Sequence, residues 1–217
     1  MGQQPTGGSF LDSVLGRFAR RKAVEEPAPP LNTPLAMLER LHSGERPDYC
    51  LYLRPPVGGA VVKNGPLSVD LEELLIKAFD PLPVVTLDEE IKRATDKGLP
   101  DEAFLTLANQ ARVLCLVPTA DAKFLQRLRL LKSKGPLGRC IFAMPEQGTL
   151  GAADWPNLWP AAIEAAAKLN LELSGYTAGG WLFRLDKAGK ACTFRPIVNP
   201  NSEKIARALE SICAEME

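Results

Sequence analysis

Histidine is almost absent from this chain: one residue, His42, in 217. A Ser-His-Asp or Cys-His mechanism would depend on that one imidazole, which lies outside the segments that read as sheet. A zinc centre loses its usual ligands for the same reason, and no metal site is expected. Five cysteines occur, Cys50, Cys115, Cys140, Cys192 and Cys213, and no two form a CxxC pair. Their number is odd, and Cys50, Cys115 and Cys140 fall inside apolar runs. They read as reduced, buried thiols rather than a disulfide frame. No apolar run approaches the ~20 residues of a membrane-spanning helix. The first residues lack the basic region, apolar block and cleavage site of a secretory signal, so the cytoplasm is the expected address.

Neither sign of charge is in excess. Lysine and arginine total 26, aspartate and glutamate 26, and the formal net charge is zero. A global attraction to nucleic acid is therefore not expected. The distribution is uneven. Residues 1–22 carry Arg17, Arg20, Arg21 and Lys22 against Asp12 alone, a local charge of +3, which leaves 22 basic and 25 acidic side chains in the remainder.

Signature loops are missing as well. No GxGxxG follows the first strand, and neither GxxxxGK[ST] nor GxSxG occurs. The stretch GGAVVKNGP has glycines and a lysine at the wrong spacing for a phosphate cradle. No cofactor is expected on these grounds. The acidic run Asp88-Glu89-Glu90 reads as solvated surface.

What is present is enough apolar material, 46% of the chain, for a packed core without disulfides or metals. Four short apolar runs stand out, at 49–54, 83–87, 112–117 and 138–144, separated by segments of helical pattern. The runs are continuous rather than alternating, as in strands covered on both faces of a parallel sheet. Leu51, Leu53, Val85, Leu114, Leu116, Ile141 and Phe142 are the expected core. A Pro/Gly-rich loop over 55–67 follows the first run, and Ser68 or Asp70 opens a helix with Leu71, Leu74, Leu75 and Phe79 on one face. DEAFLTLANQA and ADAKFLQRLRLLKSK are the next helices, the second ended by Gly135-Pro136. A further helix begins near Leu158, which is flanked by the two Trp-Pro dipeptides Trp155-Pro156 and Trp159-Pro160. GGWLFRLDKAGKACTFRP reads as a β-hairpin turning at Lys187–Lys190, and Asn201 or Ser202 caps a last helix. Right-handed crossovers then give a doubly wound, largely parallel, flavodoxin-like α/β fold with a C-terminal hairpin and helix.

The expected organisation is a flexible arm over 1–32, a short helix within 33–46 and a single α/β domain over 47–217. In the arm, Phe10, Leu11, Val14, Leu15 and Phe18 recur at helical spacing behind Ser9, and Arg17, Arg20 and Arg21 give the helix a basic end. So short a helix is marginal alone in water and is expected to order on contact. Its target is open: its own domain, a groove on another protein, or weakly an anionic membrane. EEPAPPLNTP behind it is a proline-stiffened linker.

A ligand site is placed by topology, since open α/β sheets bind outside the carboxyl ends of their strands. The candidates there are Arg54, Ser68, Asp70, Asp88, Thr119, Asp121 and Glu146. In one reading Arg54 grips a phosphate or carboxylate and Ser68, with the amides that follow, holds an anion at a helix start. In the other, Arg54 pairs with Asp70 or Asp88 and holds loops together.

Three stretches carry a resemblance. YCLYLRP at 49–55 with the following DLEELLIKAF helix, RVLCLVP through FLQRLRLLKSKGPLGRCIFAMPE, and GGWLFRLDKAG together resemble a bacterial family of Toll/interleukin-receptor-like (TIR-like) domains. That family opens on LYLRSF or LYLRPF and ends its fourth strand on an MP motif. The likeness spans about residues 48–195. It implies a TIR-like fold. In enzymatic relatives, a glutamate on the helix after the third strand supports cleavage of a nicotinamide dinucleotide, usually within a Trp-Glu pair. Aligned through the MP motif, those positions fall on Gln126 and Arg127. A cation cannot replace a carboxylate that stabilises a cationic glycosyl transition state. Pro56 departs from the family's first loop too. The expectation is a non-catalytic protein-interaction module in bacterial defence, conflict or signalling, with another protein as partner. The alternatives are a nucleotide-hydrolysing enzyme using Asp121 or Glu146 as its acid, and a domain that senses a nucleotide without turnover.

Overall fold

The computed structural model describes residues 33–55, 61–64, 67–87, 99–146, 154–197 and 202–215. The arm helix expected over 9–22, with Phe10, Leu11, Val14, Leu15, Arg17, Phe18, Arg20 and Arg21, lies outside the described residues, and so does Asp88.

In chain order the elements are α1 (Pro34–His42), β1 (Cys50–Leu53), β2 (Val61–Asn64), β3 (Leu67–Asp70), α2 (Leu71–Phe79), β4 (Val84–Leu87), α3 (Asp101–Gln110), β5 (Val113–Leu116), α4 (Ala122–Lys134), a 3-10 turn (Leu137–Arg139), β6 (Cys140–Met144), α5 (Trp155–Ala167), β7 (Trp181–Leu185), β8 (Ala191–Pro196) and α6 (Ser202–Ala214). Six strands form one sheet in the order β4-β1-β5-β6-β7-β8. The first four are mutually parallel, with Leu51 between Val85 and Leu114. β7 runs antiparallel to β6 and β8 antiparallel to β7. The fold is thus mixed α/β with a mostly parallel sheet.

Both faces of the parallel strands are covered. On one side α2 packs against α6; Thr86 of β4 bonds to Glu72 of α2, and Arg195 of β8 to Ser211 of α6. On the other side α3 packs against α4 and α1. Trp159 of α5 meets Phe183 edge-on at 6.4 Å, and Phe183 stacks on Phe142 at 5.5 Å. This double cover explains the unbroken apolar runs, because a strand with helices on both sides has no wet face to mark with polar residues. All seven expected core residues are buried, none more than 1% exposed.

The compact unit runs from Leu31 to Glu217 and takes in α1. That helix starts on Pro34 behind Thr33, whose hydroxyl accepts the Ala36 amide, and it buries Met37, Leu38 and Leu41 in the common core.

Two local expectations are corrected. The stretch read as a loop over 55–67 holds a hairpin instead, and of the two residues expected to open the next helix Ser68 lies within its second strand while Asp70 directly precedes the helix. β2 and β3 pair antiparallel with Val62 opposite Val69, and α2 starts at Leu71. The signal was present in valines on either side of Asn64-Gly65, a pair that favours hairpin turns, but glycine and proline content outweighed it. α5 begins at Trp155, three residues before Leu158. Trp-Pro opens the helix because a proline in the first turn has no intrahelical N–H to lose.

Candidate functional site

The carboxyl ends of β1, β5 and β6 lead directly to Arg54, Thr119 and Glu146. Each can be followed from its strand.

Arg54 leaves the end of β1 and places Nη1 3.1 Å from Glu72 of α2, both side chains being half-buried. The other oxygen of Glu72 accepts the Thr86 hydroxyl of β4 at 2.7 Å. One carboxylate therefore joins the tails of two neighbouring parallel strands to the helix that follows the hairpin. Glu72 was not among the sequence candidates. The available cue was its place in the first turn of α2, where the helix dipole favours an acid. Its use as a partner for Arg54 follows from β1 lying beside β4. Ser68 sits in β3 opposite Lys63, while Asp70 ends β3 opposite Val61 and immediately precedes Leu71, the first residue of α2.

Thr119 follows β5 and is buried at 9% exposure. Its Oγ1 accepts the Asp121 amide at 3.4 Å. Asp121 caps α4, accepting the amides of Lys123 at 2.9 Å and Phe124 at 3.0 Å. Both residues thus perform local turn and cap chemistry, supplying acceptors to amides that a helix start leaves unpaired.

Glu146 follows β6 and Pro145. The Tyr176 hydroxyl donates to the Pro145 carbonyl at 3.0 Å. Partial burial, and then the carboxylates of Glu146 and Asp154, push the Tyr176 phenol above its ordinary range. Tyr176 also lies 6.2 Å from Trp159, whose indole N–H donates to the Ser174 carbonyl at 2.9 Å. Gly180 closes in on the same strand end. Its φ is +65°, and a β-carbon there would come within 2.8 Å of the Met144 carbonyl and the Glu146 amide.

Arg127, where the resemblance expects a carboxylate, is half-buried on α4 with its guanidinium carbon 5.5 Å from the centre of the Phe104 ring. Burial lowers its pKa, and Asp101 and Asp121 oppose that shift. Gln126 beside it donates to both oxygens of Asp101 at 2.9 and 3.0 Å. The positive charge is therefore placed between two acids and above an aromatic face, a stable seat for a cation.

His42 is exposed in the last turn of α1. Among the described residues no group of three histidine, cysteine, aspartate or glutamate side chains is arranged to hold a metal, and no helix is long and apolar enough to cross a membrane. Cys50, Cys115 and Cys140 are buried free thiols, and burial pushes all three above the ordinary thiol range, which suppresses nucleophilic thiolate. No protein-family model, curated protein or solved structure matches the chain.

Proposed function

We propose that this chain is a non-catalytic protein-interaction module of doubly wound, flavodoxin-like or TIR-like fold, acting in bacterial defence, conflict or signalling. The strand order β4-β1-β5-β6 with helices on both faces supports the fold reading. One observation carries the functional reading: Arg54, Asp121 and Arg127 each make a structural contact. Arg54 is tied to Glu72, Asp121 caps α4, and Arg127 rests on Phe104 at the position where the TIR-like resemblance expects a carboxylate. The proposed setting is the cytoplasm. The proposed partner is another protein reached through the apolar residues Phe10, Leu11, Val14, Leu15 and Phe18 of the arm, with Arg17, Arg20 and Arg21 adding weak attraction to anionic membranes.

The test is incubation of the purified full chain with NAD and related nucleotides, reading both turnover and thermal shift. Neither is expected. Turnover abolished by Asp121→Ala or Glu146→Ala would replace this reading with a hydrolase, and a shift without turnover would replace it with a nucleotide sensor. Deleting residues 1–30 is expected to abolish sedimentation with phosphatidylserine vesicles at low salt. Retained sedimentation would remove the membrane component of the proposal.

A further inference from the structure

We draw no further inference here: the strongest candidate, the partly exposed aromatic patch of Trp181 and Phe194 on the β7–β8 hairpin at the edge of the sheet, carries nothing because nothing in the structure shows what covers it.

Discussion

The hydroxyl of Tyr49 donates a hydrogen bond to the carbonyl of Leu107, 2.6 Å away and 58 residues along the chain. It ties the entry of β1 to the last turns of α3, and the Arg112 amide returns the connection by donating to the Tyr49 carbonyl at 3.0 Å. Tyr49 is fully buried. Tyr49→Phe keeps the ring and removes the donor. Leu107 still accepts the Ala111 amide, so the expected loss is about 1 kcal/mol in urea-induced unfolding rather than the cost of an unsatisfied carbonyl. A variant as stable as the parent would show that the bond contributes nothing net.

Stability should fall in alkali for an identifiable reason. Burial raises the thiols of Cys50, Cys115 and Cys140, Cys115 to about 12. The unfolded chain then releases these protons at a pH where the folded chain retains them. The stabilising difference is whole below the unfolded thiol pKa of about 8.5 and is lost progressively above it, by about 1.4 kcal/mol per pH unit for each thiol. Unfolding free energies measured under reducing conditions from pH 7.5 to 10 should decline, and Cys115→Ala should make the decline shallower. A flat profile, or an unchanged slope in the variant, would contradict this account.

Gly180→Ala should be disproportionately costly for one methyl group. The backbone is in the left-handed region, and the new carbon would meet two backbone atoms at 2.8 Å, neither of which can rotate away as a side chain would. Positive φ alone costs an L-residue about 1–3 kcal/mol. Gly138 provides the control, because a β-carbon there meets nothing within 4 Å. The expected result is a clear drop in Tm for Gly180→Ala and little change for Gly138→Ala.

Arg127→Glu is expected to destabilise the chain by about 1–2 kcal/mol and to confer no NAD cleavage. It removes the cation above Phe104 and sets a third carboxylate beside Asp101 and Asp121. Arg127→Met retains much of the packing, so comparing the two melting temperatures separates lost packing from charge repulsion. Hydrolysis appearing in the glutamate variant would mean that the rest of a catalytic pocket is intact.

Much of the architecture was legible along the chain because its causes are local. The apolar runs around Leu51, Val85, Leu114 and Ile141 identify strands buried on two faces. Asp121 marks the start of α4, while Gly189 at φ +85° turns the β7–β8 hairpin where Asp186 accepts the amides of Ala188 and Lys190. These are effects of a few adjacent residues on their own backbone. The candidate site was less legible. Glu72 as a partner of Arg54 was not legible along the chain, because it is brought there when α2 packs beside the β1–β4 pair. Likewise nothing near Tyr49 points to Leu107, and nothing near Arg127 points to Phe104. Periodicity, caps and turn residues determined which segments became strands and helices. Which charge meets which was decided only in the tertiary structure, because the energy of such a pair depends on a distance and a degree of burial that exist only once the layers have packed.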